Sequence, residues 1–536
     1  MSNLYIDNVN FAFSNIAKDS HMRVDGSFYF LFGYCFLGKL YKRNERLTEE
    51  EFDLIKKSNI SCSGIFGAVK VDDGKITIVL DPLCQFNIFY YFDETCNSFV
   101  IANSILLLKK FIPNCEFSNA YFFDQVAYQS PMRGKTILSD VYYIQYDDLR
   151  FGNPWNQDFE YLDNMSTINL VRPDYNAYDG LSYKELKQKY VENLKERAES
   201  VSSNFEEVHV QLTGGADSRL AFAALTSVKD IYSYVYGDGK SQNRLIFERI
   251  LKAKKQSPVE KIEFVGQPLN TAERIIKGVI DANFMKLNTL NTYMNSNVRF
   301  EQSKCKVTGY YGANVCGGVV LPPSDTSKNP RLEKFTSEIF DYHDYIEYFK
   351  ERHGHRRRTS FNDFFYINNR GKGHYSAHSL ADNQHVASVD ILYDYINLIL
   401  VEKCPYSDFD IDKNAISIDL IYEFDKQLAL FPYDSRKIPK FREFQDIPLI
   451  NCFDGYDFQP EQLPEFIIER PSLEVGSNIT KFTESSGVKG VNFIEAEKFR
   501  EQIEKFPMFR ELVRGVGAQS DIIRYYVLST LFLEAN

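Results

Sequence analysis

Residues 208–220 combine two glycines, an acid and two hydroxyls in a pattern that suits phosphate chemistry. The stretch reads Val-His-Val-Gln-Leu-Thr-Gly-Gly-Ala-Asp-Ser-Arg-Leu, so an apolar run enters a glycine turn before a helix-like segment. A strand that passes through such a turn into a helix N-terminus presents unpaired backbone N–H groups, which bind anions. Asp217 suits a magnesium ion held against the phosphates. The predicted nucleotide-binding residues are Leu212, Thr213, Gly214, Gly215, Ala216, Asp217 and Ser218.

Two other phosphate-binding loops do not fit this stretch. No Gly-Lys-Ser/Thr follows the glycines, and the third glycine of a dinucleotide fingerprint is missing. The segment instead resembles the PP-loop of ATP pyrophosphatases, Ser-Gly-Gly-x-Asp-Ser, with Thr213 in place of the first serine. This resemblance implies cleavage of ATP between its α- and β-phosphates, transfer of AMP and release of pyrophosphate, with ATP and Mg²⁺ as cofactors. The alternative is a strand–turn–helix whose glycines serve geometry alone.

The elements around this loop alternate between helix and strand. An amphipathic pattern predicts a helix over 183–202, and strands are predicted over 231–236 and 259–265 with a helix over 243–253 between them. Such alternation indicates a doubly wound parallel sheet, in which ligands lie beyond the carboxyl ends of the strands. Tyr236 and Gly237 are therefore predicted to line the nucleotide site. Asp238 is either a ribose or metal ligand or a turn residue.

Short strand-like segments fill the N-terminal part of the chain. They cover residues 27–34, 64–71, 75–80 and 99–102, and they predict layered antiparallel sheets. The run from Ser63 through Asp81-Pro-Leu83 to Ser104 resembles the class II glutamine amidotransferase domain. That family uses an N-terminal cysteine as its nucleophile, whereas Ser2 follows Met1 here and the first cysteine is Cys35. The expectation is a degenerate domain without glutaminase activity.

Together, the two halves are similar to asparagine synthetase and, more closely, to β-lactam and carbapenam synthetases and lasso-peptide cyclases. The resemblance implies an α/β chain with two domains. A degenerate amidotransferase-like domain with an Ntn-hydrolase-like α+β sandwich covers residues 1–165. A synthetase domain with a PP-loop sheet and helical C-terminal additions covers residues 180–536.

A second glycine turn follows the strand-like run that starts at Lys306. Its segment Tyr311-Gly-Ala-Asn314 matches the Tyr-Gly-x-Asp of the β-lactam and carbapenam synthetases, with one tyrosine inserted. The resemblance implies that Tyr311, or less favourably Tyr310, is the base for the attacking amine, and that Gly309 lies in the nucleotide site. Asn314 stands at a magnesium-ligand position, where a neutral amide binds the metal more weakly than a carboxylate. The alternative is a purely structural turn.

Candidates further along the chain rest on weaker patterns. The acid of the tyrosine–acid dyad is assigned to Glu347, with Asp344 as a second candidate, although surface acids of a helix give the same pattern. The lysine that stabilises the adenylated intermediate is assigned to Lys440 or Lys437, with Lys481 as a third candidate. The cluster at 355–358 either binds pyrophosphate or an anionic substrate or is simply solvated. Residues 380–430 and 490–533 are predicted to be mostly helical.

Composition limits the setting of the predicted chemistry. The 536-residue chain has a net charge of −11, which argues against a nucleic-acid partner, and its longest apolar runs are too short for a membrane span. Nine scattered cysteines and a start without a signal-peptide pattern predict a reduced, cytoplasmic protein. The function that the resemblance implies is an AMP-forming amide synthetase, of a kind found in natural-product or surface-glycan pathways. It would act on a small-molecule or peptide carboxylate and use ammonia or an amine of the substrate, with a pathway partner protein or a homodimer left open. The alternative is a non-catalytic descendant that binds a nucleotide or a partner.

Overall fold

The computed structural model describes residues 2–433 with several gaps, of which the longest are 14–27, 255–284, 286–303 and 313–335. Within these described residues sixteen strands form four sheets. The strands are β1 (Ser2–Ile6), β2 (Val9–Phe13), β3 (Phe28–Gly33), β4 (Cys35–Leu37), β5 (Lys39–Tyr41), β6 (Glu45–Arg46), β7 (Phe66–Asp72), β8 (Lys75–Leu80), β9 (Phe89–Asp93), β10 (Ser98–Ala102), β11 (Val141–Tyr143), β12 (Ile168–Val171), β13 (Glu207–Gln211), β14 (Tyr232–Tyr234), β15 (Lys304–Thr308) and β16 (Ala387–Asp390).

Thirteen α-helices lie in the same described residues, with a 3₁₀ turn at Tyr310–Gly312 and a π-helical turn at Lys372–Ser376. The helices are α1 (Glu49–Lys57), α2 (Ile105–Lys109), α3 (Tyr146–Phe151), α4 (Gln157–Asp163), α5 (Tyr183–Asn204), α6 (Ala216–Thr226), α7 (Gln242–Lys254), α8 (Thr336–His353), α9 (Arg358–Asn368), α10 (Ile396–Lys403), α11 (Asp408–Ile411), α12 (Ala415–Phe424) and α13 (Lys426–Ala429). No helix of this part of the chain is long and apolar enough to cross a bilayer.

Two five-stranded sheets form the N-terminal half. Their strand orders are β1-β2-β10-β9-β11 and β12-β8-β7-β3-β6, and all pairs are antiparallel except β2–β10 and β8–β12. Side chains of the second sheet alternate between two apolar layers, because successive residues of a strand face opposite sides. Ile76 and Ile78 enter the main core, whereas Val79 packs with Phe52 and Ile55 of α1. β12 extends this sheet to Val171, past the predicted domain end at 165.

The third sheet is parallel throughout, with the strand order β14-β13-β15-β16. β13 is a central strand, and its residues 208–210 are buried, as expected where helices cover both faces of a parallel sheet. α5 precedes it and begins with a capping box, in which Glu185 N donates to Ser182 Oγ and Ser182 N donates to Glu185. α6 follows it, and every residue from Arg219 to Leu225 is buried. Helix α6 packs against α5, α12, β13 and β15.

The mixed α/β class and the parallel sheet confirm the coarse fold prediction. The strands predicted at 27–34, 64–71, 75–80 and 99–102 correspond to β3, β7, β8 and β10, and the helix predicted at 183–202 is α5. The segment 380–430 contains the predicted helices but also the edge strand β16, which the sequence prediction missed. The predicted strand at 259–265 and helices at 490–533 lie outside the described residues.

Candidate functional site

The loop Thr213–Ser218 lies at the carboxyl end of β13, the edge of a parallel sheet at which ligands bind. Leu212 is buried, and its N–H continues the pairing with β14 by donating to Tyr234 O at 2.9 Å. The chain then leaves the sheet, and α6 begins at Ala216 with Gly215 as its extended N-cap residue. The predicted strand–turn–helix is therefore present, with backbone N–H groups at the start of α6.

Side chains within and beside the loop accept hydrogen bonds from its backbone. Ser218 Oγ accepts from Thr213 N at 3.0 Å and lies 2.8 Å from Thr213 Oγ1, which in turn accepts from Gly215 N at 3.2 Å. Gly214 N donates to Asn243 Oδ1, on the first turn of α7, at 3.0 Å. The hydrogen bonds of the two hydroxyls thus stabilise the loop as a closed turn. A phosphate bound here would replace side-chain oxygens as the acceptor of these N–H groups.

A buried arginine donates a hydrogen bond to the backbone of the loop. Arg219 is fully buried and donates to Phe431 O at 2.8 Å and to Gly214 O at 3.4 Å. Its guanidinium carbon lies 3.8 Å from the centre of the Tyr433 ring, a close cation–π contact. The sequence pattern contained no signal for this role, because Phe431 and Tyr433 lie more than two hundred residues further along the chain.

Asp217 lies in the first turn of α6, directly against the second glycine turn. That turn follows β15, which neighbours β13 in the sheet, and Gly312 N closes it by donating to Gly309 O at 3.1 Å. A methyl group added at Gly309 would lie 2.9 Å from Asp217 O, and one added at Gly312 would lie 2.7 Å from Asp217 Cβ. The structure therefore brings together Asp217 and Gly309, which the sequence placed in one site, and it leaves no room for a side chain between the two turns.

The two tyrosines of the second turn have different surroundings. Tyr311 is fully buried, and its hydroxyl donates to Gln85 Oε1 in the N-terminal half at 3.1 Å. Burial, with further contributions from Asp81 and other neighbours, raises its pKa well above the usual value. Tyr310 is only half-buried, and its ring stacks on Tyr375 of the π-helical turn with 6.3 Å between ring centres. In this arrangement the Tyr311 hydroxyl faces Gln85, and Tyr310 is the more accessible of the two.

Asp390 is a site residue that the sequence prediction missed. It ends β16 and pairs with Thr308 of β15, so both residues stand at the same edge of the sheet as the loop Thr213–Ser218. Its carboxylate accepts from Tyr311 N and Leu392 N, each at 3.0 Å, and from Thr308 Oγ1 at 3.4 Å. Burial raises the pKa of Asp390 to about 7, against hydrogen bonds that lower it.

A turn of the N-terminal half reaches the same place. Buried Asp81 accepts from Gln85 N at 2.8 Å, from Phe86 N at 2.7 Å and from the hydroxyl of Tyr393. Lys372 is also buried and donates to Phe86 O at 3.1 Å, and burial lowers its pKa to about 8. These contacts fix the turn that carries Gln85, so that the Tyr311 hydroxyl meets a preformed acceptor.

The remaining predicted residues lie elsewhere or outside the described residues. Glu347 is exposed on α8 and pairs with Lys350 at 2.6 Å on the same helix, as expected for a surface acid. The residues outside the described part of the chain are Tyr236, Gly237, Asp238, Asn314, Lys437, Lys440 and Lys481. Among the described residues no three His, Cys, Asp or Glu side chains group together as a metal site. This leaves Asp217 as the described carboxylate of the predicted magnesium site.

The basic cluster at 355–358 has a structural role at a helix end. Arg357 donates to Cys404 O at 2.7 Å and to Tyr406 O at 2.6 Å, and it pairs with Asp408 at 2.9 Å. Carbonyls at the end of a helix such as α10 have no hydrogen-bond donors within the helix, and here the guanidinium of Arg357 supplies N–H donors. Arg358 pairs with Asp412 at 2.6 Å. These two arginines thus form ion pairs and bind carbonyls after a helix, contacts that the sequence interpretations did not include.

Comparison with protein-family models and with curated proteins gives no relative for this chain. No model of a known protein family matches it, and no curated protein matches it significantly. The assignment of function therefore rests on the residues and their geometry.

Proposed function

We propose that this protein is an ATP-dependent, AMP-forming amide-bond synthetase. Its substrate would be a small-molecule or peptide carboxylate, which is adenylated with release of pyrophosphate and then joined to an amine or to ammonia. In this proposal the N-terminal half is an amidotransferase-like, Ntn-hydrolase-like domain that supplies no glutaminase activity. The half after residue 180 is the PP-loop synthetase.

One observation carries the proposal. The hydroxyl and glycine loop Thr213–Ser218 and the glycine turn Gly309–Gly312 follow adjacent parallel strands, and Asp217 of the first loop is in direct contact with the second turn. Backbone N–H groups, two hydroxyls and one carboxylate at this edge form the donor and ligand set that a magnesium-bound triphosphate requires.

The residues present fit magnesium, because Mg²⁺ in nucleotide sites takes one or two protein carboxylates and completes its shell with phosphate oxygens and waters. Asp217 would hold the ion, which when bound neutralises charge on the leaving pyrophosphate. The N–H groups of Gly214 and Gly215 would turn from Asn243 and Thr213 to the phosphate oxygens. The hydroxyls of Thr213 and Ser218 would then donate to the same oxygens.

The amine that attacks the acyl-adenylate must lose a proton, and the second turn supplies two candidates. Tyr311 would have to leave Gln85 to act as the base, and its raised pKa makes the phenolate costly. Tyr310 is half-buried and is therefore more accessible than Tyr311. We therefore keep Tyr311 and Tyr310 as the two candidate bases, with Glu347 as the sequence-based candidate for the acid of the dyad and Lys437 and Lys440 as the candidates for charge stabilisation.

A non-catalytic nucleotide-binding protein is the second candidate function. It is favoured by the closed state of the loop, in which Gly214 N and Thr213 N already have side-chain acceptors, and by the buried Tyr311 hydroxyl. Such a protein would bind Mg·ATP and release no pyrophosphate.

Two measurements test the proposed function. Mg·ATP binding is followed by calorimetry, and ATP–pyrophosphate exchange is followed across a panel of small-molecule and peptide carboxylates. Asp217→Asn is expected to lower exchange by about a hundredfold, the scale of losing one group that stabilises transition-state charge. Asp230→Asn is the matched control, because Asp230 is an exposed aspartate beyond the end of α6. Equal exchange by wild type and Asp217→Asn would refute the assigned role, and binding without exchange across the panel would favour the non-catalytic alternative.

A further inference from the structure

Asp390 links the nucleotide loop to the rest of the fold through the second glycine turn. In the parallel register of β15 and β16, Thr308 pairs with Asp390, so the strand ends are level. The chain leaves β15 at Thr308 and forms the 3₁₀ turn Tyr310–Gly312 immediately afterwards. A side chain at the end of β16 is therefore beside the start of this turn.

The carboxylate of Asp390 binds that turn like a cap. One oxygen accepts from Tyr311 N at 3.0 Å and from Thr308 Oγ1 at 3.4 Å, and the other accepts from Leu392 N at 3.0 Å. The first backbone N–H groups of a helical turn lack partners within the turn, so an acceptor from outside fixes its position. Asp390 thus joins the backbone after β15 to the backbone after β16.

The turn that Asp390 holds is the one that packs on Asp217. The distances from the positions of added methyl groups at Gly309 and Gly312 to Asp217 are 2.9 Å and 2.7 Å, so the two backbones are in close contact. A shift of the turn by a fraction of an ångström would change the space open to the Asp217 side chain. The position of Asp217 is therefore coupled to the position of the turn.

Tyr34 of the N-terminal half supports the same residue. Asp390 N donates to the Tyr34 hydroxyl at 2.9 Å, while the Tyr311 hydroxyl donates to Gln85. Tyr34, Asp390 and Tyr311 are all buried. The turn is held on one side by the end of β16 and on the other by the N-terminal half.

We propose that Asp390 is a positioning residue of the nucleotide site, which holds the turn Gly309–Gly312 where that turn supports Asp217. The inference rests on the proposed function for its ligand, Mg·ATP, and on the contacts above for its mechanism. Asp390 itself contacts the backbone of the turn through Tyr311 N. Its loss should loosen both turns while the parallel sheet remains folded.

The experiment uses the full chain and compares Asp390→Ala, Asp390→Asn and the control Asp363→Asn. Asp363 is an equally buried aspartate, located on α9. Hydrogen exchange is measured in peptides that cover residues 304–312 and 212–220, and Mg·ATP binding is measured by calorimetry. Urea unfolding establishes the folded fraction of each variant, so that affinity is expressed per folded molecule.

Asp390→Ala is expected to speed hydrogen exchange in both peptides and to weaken Mg·ATP binding by about tenfold or more, the loss that follows when a group supporting a metal ligand is removed. Asp390→Asn keeps an acceptor for Tyr311 N and should recover part of both effects, whereas Asp363→Asn should change neither. A merely structural role would lower the unfolding midpoint and leave both readouts per folded molecule at wild-type values, and that result would overturn the proposal.

Two further outcomes of the experiment can be told apart: a variant that does not fold, and a wild-type protein that does not bind Mg·ATP. If Asp390→Ala does not fold, Asp390→Asn and Tyr34→Phe, which removes the acceptor of Asp390 N, give the same test, and wild-type hydrogen exchange in both would refute the inference. If wild type binds no Mg·ATP, the proposed function fails. The hydrogen exchange of residues 212–220 in Asp390→Ala still decides whether Asp390 positions the loop.

Discussion

Gly312→Ala is the sharpest test of the contact between the two glycine turns. The added methyl group would lie 2.7 Å from Asp217 Cβ, 2.9 Å from Asp217 Cγ and 2.9 Å from Leu392 Cδ1. Carbon atoms that are not bonded pack at about 3.5–4.0 Å, so the turn and Asp217 must separate by about 1 Å. The substitution therefore moves the predicted metal ligand without altering its chemistry.

The magnitude of the effect follows from this displacement. Overpacking a close contact costs about 1–3 kcal/mol of unfolding free energy. Misplacing a reacting group by about 1 Å can cost about a hundredfold in rate. Gly312→Ala should therefore lower ATP–pyrophosphate exchange by about a hundredfold in molecules that are still folded.

The assay pairs urea unfolding with ATP–pyrophosphate exchange in the presence of magnesium. Gly180→Ala is the matched control, because a methyl group added at Gly180 meets no atom within 4 Å. Replacing glycine by alanine at a compatible position is expected to stabilise a protein by about 0.4–1 kcal/mol. If Gly312→Ala keeps both the wild-type midpoint and wild-type pyrophosphate exchange, the close packing of the turn on Asp217 does not align the site, and the reasoning fails.

Three other perturbations probe the surroundings of the site. Burial lowers the pKa of Lys372 to about 8, so between that pH and the ordinary lysine value only the unfolded state binds its proton. The unfolding free energy of wild type should rise with pH in that window relative to Lys372→Met, and parallel pH profiles would contradict this. Asp394→Ala should lower the free energy of unfolding, measured in urea, by about 3–5 kcal/mol. The reason is that it leaves the buried charge of Arg197, which lies 2.8 Å from Asp394, without its carboxylate partner. Adding Arg197→Met should recover part of the loss, and an additive double variant would argue against the pair. Tyr311→Phe should lower the unfolding free energy by about 1–2 kcal/mol, since Gln85 loses its donor, and leave pyrophosphate exchange unchanged. Loss of amide formation alone would instead identify Tyr311 as the base.

The parts of the site that could be predicted from sequence are those encoded locally. The loop Thr213–Ser218 is recognisable because its glycines, hydroxyls and acid lie within six residues, between an apolar strand and a helix. Strands such as β7 and β8 could be predicted since alternating side chains and a turn signal define them. Domain assignment from resemblance stays a prediction, as do the roles of Asn314, Lys437 and Lys440.

Other parts depend on contacts that no local pattern contains. β16 is four residues long and runs into the apolar segment Ile391–Val401, whose periodicity does not distinguish a strand from a helix. Asp390 therefore could not be recognised as the cap of a turn about eighty residues earlier in the chain. The role of Arg357 could not be predicted for the same reason, because its partners are carbonyls at the end of α10, more than forty residues further along the chain.

The contacts of the second glycine turn give the N-terminal half a physical role in the candidate site. Two of the turn's supports, Tyr34 at Asp390 N and Gln85 at the Tyr311 hydroxyl, come from that half, and all four residues are buried. Removing the N-terminal half would leave the Tyr311 hydroxyl without Gln85 and the Asp390 N–H without its protein acceptor. Because the same turn packs on Asp217, the loss of these hydrogen bonds would also change the position of the loop Thr213–Ser218. In the proposed synthetase, the N-terminal half is thus part of the support for the ATP site, whatever its own chemistry.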